Sequence, residues 1–143
     1  LLLAQSTTEH GPITYGFTAG AHIPLVHTSL GRMLMACLAQ EEAAALLESA
    51  DIPQHTEQSR RDAAEILPQI TKARSQGYCL TDSEFEPGII GYAVPVSRPG
   101  QTPVGVGSSA PRGSDTGKNT EALLQALQIC AADLRQTNVV EDL

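Results

Sequence analysis

Apolar and polar positions change period along this chain, and each change marks an element boundary. Leu1 to Gln5 is a short apolar run that reads as a strand with partners upstream, and Gly11-Pro12 signals a turn after it. Ile13, Tyr15 and Phe17 alternate with Thr14, Gly16 and Thr18, the period of a half-buried strand. Ala19-Gly20-Ala21 breaks that pattern, and Pro24 keeps the next stretch extended. Thr28 or Ser29 then offers an N-cap for a helix over Leu30 to Ala39, with Leu30, Met33, Leu34, Cys37 and Leu38 at helical spacing and Met35 and Ala36 opposite. A helix apolar nearly all round is a buried one. Gly31 weakens it, which predicts close approach of its backbone to a sheet or ligand.

A short helix follows from Glu41 to Ser49, its carboxylates suited to the N-terminal dipole, and Gln54 to Ser59 is a polar connector. Ile66, Ile70 and Ala73 set one face of the next helix, within Arg61 to Gln76. Pro68 conflicts with it, because a mid-helix proline costs about 3 kcal/mol; a start near Leu67 or a kink is expected. Gly77 stops the helix. Tyr78-Cys79-Leu80 reads as a short strand, Asp82 to Gly88 as an acidic loop, and Ile89 to Val96 as a longer apolar strand. Carboxylates between two core strands are expected to rim a pocket or face water, not to enter the core. Ser97 to Thr102 is a hairpin loop, Pro103 to Ala110 its return strand, and Pro111 to Lys118 a further loop. Asn119 or Thr120 caps a last helix bearing Leu123, Leu127, Cys130 and Leu134. The order gives an α/β or α+β domain, with a mixed or antiparallel sheet.

Composition narrows this. The 143 residues suffice for one domain over 1–143, and 41% hydrophobic with 17% charged is a globular balance. With aromatics at 3% and no Trp, the core is aliphatic. The net charge is −7 and the nine basic residues are scattered, so the chain offers no face for nucleic-acid phosphates. Cys37, Cys79 and Cys130 lie far apart in apolar stretches, which reads as three reduced core thiols in a cytosolic protein. No apolar run approaches the roughly 20 residues of a membrane span. The start at Leu1-Leu2-Leu3, with no initiator Met and no basic segment, reads as a domain cut from a longer chain and not as a signal peptide.

Candidate chemistry is thin. His22 and His27 lack a third ligand at metal-site spacing, so no metal is expected, whereas His27 beside a helix N-terminus suits donation to a bound carboxylate. Cys79 sits mid-strand with nothing to activate it, and Asp82, Glu84 and Glu86 read as a solvated loop sooner than as a general acid and base. GxSxG, P-loop and GxGxxG motifs are absent, and no cofactor is expected. Gly105 and Gly107 in the return strand mark either close approach of a ligand or backbone, or a weak edge strand. Three readings stay open from the residues: a ligand sensor, a small enzyme using Cys79 or the acidic loop, and a dimerisation module without a ligand.

Two stretches then resemble a known family. Gly20-Ala21-His22-Ile23-Pro24-Leu25-Val26-His27-Thr28-Ser29-Leu30-Gly31-Arg32 is similar to the helix entry of the IclR-family effector-binding domain. Arg74-Ser75-Gln76-Gly77-Tyr78, with Asp82-Ser83-Glu84, Gly88 and Ala93-Val94-Pro95-Val96, resembles that family's second signature. The resemblance covers almost the whole chain. It implies a profilin-like or GAF-like domain, with a curved sheet flanked by helices and an effector on the concave side. It further implies a non-enzymatic cytoplasmic regulator controlled by a small organic acid, association into homodimers or homotetramers, and DNA contact only through an N-terminal helix-turn-helix domain outside this stretch. Carried over residue by residue, the pocket takes Ser29, Leu30 and Gly31 from the helix entry and Thr81 or Asp82 from the acidic loop. It takes Ile89 and Gly91 from the following strand, and Gly105, Gly107 or Ser108 from the return strand. Many members have Cys or Ser at the Gly91 position and hydroxyls at the two glycines, so a roomier floor with fewer donors is implied here. The Thr28-Ser29-x-Gly31-Arg32 variant looks most like members that sense aromatic acids such as protocatechuate or 4-hydroxybenzoate, with Gly105 and Gly107 making room for a flat ring.

Overall fold

The computed structural model describes residues 1–6 and 17–137. Its sheet is built from three strands with an alternation of side-chain size. Strands β1 (Cys79–Asp82), β2 (Ile89–Pro95) and β3 (Gly105–Pro111) form an antiparallel meander in that order, with Thr81 opposite Gly91 and Gly91 opposite Ser109. Because side chains alternate across a strand, Cys79, Thr81, Gly91, Ala93, Gly105 and Gly107 share one face, and Leu80, Tyr92, Val94, Val106 and Ala110 the other. The first face is paved with small residues and the second with large ones.

Helix α1 (Ser29–Ala36) lies across the small face and contacts all three strands. The Thr28 hydroxyl caps it, accepting the Gly31 N–H at 3.0 Å while donating to the Pro24 carbonyl at 2.6 Å. A Cβ on Gly31 would land on the backbone of Leu25, and one on Gly107 would stand 2.6 Å from the Tyr92 carbonyl and 2.9 Å from Leu30 Cγ. Both glycines therefore mark close approach, as expected for Gly31 and as one of the two readings of Gly107 has it; β3 is also an edge strand of the described sheet. α1 ends at Ala36, three residues short of the expected Ala39. Arg74 explains this, since its guanidinium takes the carbonyls of Ala36 and Leu38 at 3.0 and 3.1 Å and turns the chain toward α2 (Gln40–Ser49). The Glu42 carboxylate caps α2 by accepting the Ala39 N–H at 3.1 Å.

Helix α3 (Ala63–Gln76) starts from Asp62, whose carboxylate accepts the Ala64 N–H at 2.9 Å, so Pro68 stands inside it and the expected start near Leu67 is wrong. Pro68 and Ala64, the residue whose carbonyl it deprives of a partner, both face solvent. Ile66, Ile70 and Ala73 are meanwhile almost completely buried against α1 and α2. Burying the two isoleucines is worth about 1.5–3 kcal/mol each, more than the roughly 3 kcal/mol proline cost in sum. Gly77, left-handed at φ 80°, ends the helix as expected.

On the large face, α5 (Thr120–Gln136) buries Leu127 and Ala131 against Tyr92, Val94, Val96 and Ala110. Ala131 takes the position expected for Cys130, whose thiol is exposed, so only Cys79 of the three cysteines is a buried core thiol. A single turn, α4 (Asp115–Lys118), interrupts what the sequence reads as loop. Leu1 to Gln5 is not a strand: Leu2 exchanges two backbone hydrogen bonds of 2.8 and 2.9 Å with the Gly20–Ala21 turn, so its partner lies downstream. The alternation of Ile13 and Tyr15 lies outside the described residues. The sheet is antiparallel and flanked by helices, as the class assignment expects. Among the described residues no helix is long and apolar enough to cross a membrane.

Candidate effector site

The site is built where the first turn of α1 meets the middle of the sheet. Register puts Thr81, Gly91 and Ser109 in one row across the three strands, on the face that α1 covers. Ser29 comes down on this row from the first position of α1. A Cβ on Gly91 would stand 2.7 Å from both the Ser29 and the Thr81 hydroxyl oxygens. The missing side chain of Gly91 thus leaves a notch, too narrow for a methyl group, walled by two hydroxyls. Ser29 and Thr81 are 5% and 7% exposed, and among the described residues neither hydroxyl has a hydrogen-bond partner. The N–H groups of Ser29 and Leu30 open the helix and have no intrahelical acceptor, while Gly31 gives its own to Thr28. Free N–H donors, the positive end of the helix dipole and two unpartnered hydroxyls on nearly buried residues make a neighbourhood suited to a small anion or a polar oxygen.

The carried-over residues divide between the two faces. Ser29, Thr81, Ile89, Gly91, Gly105 and Gly107 belong to the α1 face. Asp82 and Ser108 belong to the other, and strand parity makes Thr81 and Ser109 the residues of each pair that turn toward α1. Asp82 closes β1 and is not part of the loop; its half-exposed carboxylate accepts from Arg112 at 2.5 and 3.2 Å. Gly31 faces the Leu25 backbone, away from the notch. Over Gly105 and Gly107 the space is filled by Leu30, whose side chain would stand 3.6 and 2.9 Å from a Cβ at each. The room expected there for a flat ring is occupied by helix.

One carboxylate reverses expectation outright. Glu84 is buried, its two oxygens each accepting from the Arg32 guanidinium at 2.6 Å, with side chains 1% and 8% exposed. Arg32 spends its Nε–H on the Val26 carbonyl at 2.7 Å, and Arg60 stands 3.8 Å from the same carboxylate. A bidentate fork with all three guanidinium nitrogens engaged is what makes a buried charge tolerable. The connector over Gln54 to Ser59 is not a solvated linker either. Thr56 donates to the Ser83 carbonyl at 2.5 Å and Ser59 to the Glu84 carbonyl at 2.6 Å, both from buried positions. Those bonds hold Ser83 at φ 58°, a left-handed conformation that a non-glycine residue adopts at a cost.

His27 does not present a donor to the site. Its Nε2–H goes to the Arg60 carbonyl at 2.7 Å, and its Nδ1 is buried without a partner. Burial holds the imidazole below its ordinary pKa, against the raising effect of the Arg60 bond, and Arg32 and His55 push the same way. Rings stack outward from it through His55 and Phe85 to Phe17, with centroids 5.2, 4.8 and 5.5 Å apart. Cys79 is buried and its thiol is pushed up to about 11, mainly by desolvation, which keeps it protonated at neutral pH and unsuited to nucleophilic attack. Arg32, Glu84, Thr56 and Ser59 were not legible as a network, because they come from three separate segments. The one local signal was an arginine set within an otherwise apolar helix.

Comparison with known proteins follows this geometry. The family model for the bacterial transcriptional regulator IclR C-terminal domain matches residues 1–136. The Pca regulon regulatory protein of Pseudomonas putida is 31% identical over 96 residues, 67% of this chain and 33% of its own length. The p-hydroxybenzoate hydroxylase transcriptional activator of Acinetobacter baylyi is 32% identical over 82 residues, 57% of this chain and 30% of that protein. The chain thus spans about a third of the length of these regulators. Among solved structures, a double mutant of the PobR transcription factor inducer-binding domain from Acinetobacter, in complex with 3-hydroxybenzoic acid, superposes with a TM-score of 0.77 at 25% identity, covering 89% of this chain and 74% of that one.

Proposed function

This chain belongs to the IclR C-terminal family of bacterial transcriptional regulators, as an effector-sensing domain, and from that premise we propose that its effector is a small aromatic carboxylic acid. The observation that carries this reading is the pair of nearly buried, unpartnered hydroxyls of Ser29 and Thr81 facing one another across Gly91 at the N-terminus of α1. The effector carboxylate takes the Ser29 and Leu30 N–H groups and the Ser29 hydroxyl, Thr81 takes a second polar oxygen, and Ile89 supplies an apolar edge. The likeness to a hydroxybenzoate-bound inducer domain and to an activator of hydroxybenzoate metabolism supports the aromatic class. The domain acts in the cytoplasm as a homodimer or homotetramer, and DNA contact belongs to another part of the regulator.

Calorimetric titration of the chain with 3-hydroxybenzoate, 4-hydroxybenzoate and protocatechuate, against pyruvate and glyoxylate, tests the proposal. A saturable isotherm with at least one aromatic acid is expected, weakened in Ser29→Ala and Gly91→Ala variants. Binding of the keto acids alone would replace the aromatic class with an aliphatic one, and binding unaffected by either substitution would remove the notch as the site.

A further inference from the structure

Ser29 and Arg32 are three residues apart on α1, and Thr81 and Glu84 are three residues apart at the end of β1. Each hydroxyl of the notch is thus followed, at the same spacing, by one half of the buried ion pair. The two halves meet through a two-pronged fork of 2.6 Å bonds, so the segments carrying the two hydroxyls are bolted together three residues on from the notch. Two more groups of the bolt tie it to the chain around it. The Arg32 Nε–H fixes the Val26 carbonyl in the approach to α1, and Ser59 fixes the Glu84 carbonyl in the loop. The fork is planar and rigid, and a shift of either segment by an ångström would break both bonds at once.

We infer that the Arg32–Glu84 pair is a positioning element of the effector site, setting the separation of the Ser29 and Thr81 hydroxyls across Gly91. Stability alone is a weak reason for it, since two buried charges replaced together by apolar residues of similar volume commonly leave a fold as stable or more so. What apolar replacements lack is the directional constraint. A site that recognises a small acid with two hydroxyls needs that constraint, because supporting groups decide whether donors stand at productive distance. The inference rests on the effector reading above for what the notch binds, though not for the geometry of the bolt.

The test uses the full chain with Arg32→Met and Glu84→Leu combined, and reads thermal unfolding, hydrogen–deuterium exchange and titration with 4-hydroxybenzoate. The expected result is a melting temperature at or above that of the unaltered chain. Exchange across residues 28–32 and 79–84 should be faster by about tenfold, and affinity weaker by about tenfold, a usual scale for coupling between linked groups. Normal melting with unchanged exchange in both segments would overturn the inference, as would loosening spread evenly over the molecule. If the double variant does not fold, Arg32→Lys decides, since a single ammonium cannot make the fork and the Val26 bond together: faster exchange in the same two segments is expected, and none overturns the inference. Failure of the unaltered chain to bind any of the acids would defeat the effector reading alone and leave exchange to judge the pair.

Discussion

The two faces of the sheet use the same three strands for opposite ends. On the α5 face, Tyr92, Val94, Val96 and Ala110 interlock with Leu127 and Ala131 into an apolar core. On the α1 face the alternate positions are Thr81, Gly91, Ala93, Gly105 and Gly107, and the helix settles close enough for its backbone turn and two hydroxyls to meet the strands. Apolar burial dominates folding energetics and anchors both faces, since Cys79 and Ala93 of the second join the core of α1, α2 and α3, but only the second carries buried polar groups beside that core. The α1 side also contains a buried ion pair, a strained Ser83 and an orphaned imidazole nitrogen. Such features concentrate where function constrains structure.

Substitutions on either side should break that contrast in distinct ways. The largest effect is expected from Arg32→Ala, which leaves the buried Glu84 with only Arg60, 3.8 Å away, and should cost about 4 kcal/mol in urea unfolding. On the opposite face, Leu127→Ala removes a core side chain and should cost about 3 kcal/mol, with affinity for the effector acid unchanged in calorimetry. Gly107→Ala pushes a methyl against the Tyr92 carbonyl and Leu30, and should cost about 2 kcal/mol by the same denaturation assay. Gly91→Ala sharpens the comparison most. Its methyl would stand 2.7 Å from both hydroxyl oxygens, the ends of two side chains that must turn aside, so stability should fall by only about 1 kcal/mol while binding is weakened.

The smallest effect concerns pH. Burial lowers the pKa of His27 in the fold, so the unfolded chain takes up a proton that the folded one resists. Stability from this source is fully present above the unfolded value of about 6.5 and falls as pH drops through it toward the lowered folded value. Unfolding midpoints of the unaltered chain should decline across that window, and a His27→Asn variant should show a flatter profile. Arg32, Glu84, His55 and the Arg60 carbonyl surround the ring.

Much of this was legible along the chain because the signals are local. Thr28 as a cap, Gly77 as a stop, the strand over Ile89 to Val96 and the close approach at Gly31 each follow from one residue and its neighbours. Pro68 misled because its local cost is real, and only the burial of Ile66 and Ile70 by α1 and α2 outweighs it. The acidic loop misled for a related reason. A carboxylate is expensive to bury only until its partner is known, and Glu84 finds Arg32 fifty-two residues away.

Local pattern along the chain was enough for most of the elements, for the family resemblance and for the set of small residues from which a site is cut. Tertiary structure decided which of them face one another. Antiparallel register aligned Thr81, Gly91 and Ser109, turned Asp82 and Ser108 to the far face, and left Leu30 lying over Gly105 and Gly107. Strand parity is fixed once pairing is fixed, and pairing depends on how loops and helices close over long separations. That is why a chain can state its chemistry plainly and still conceal which residues will share it.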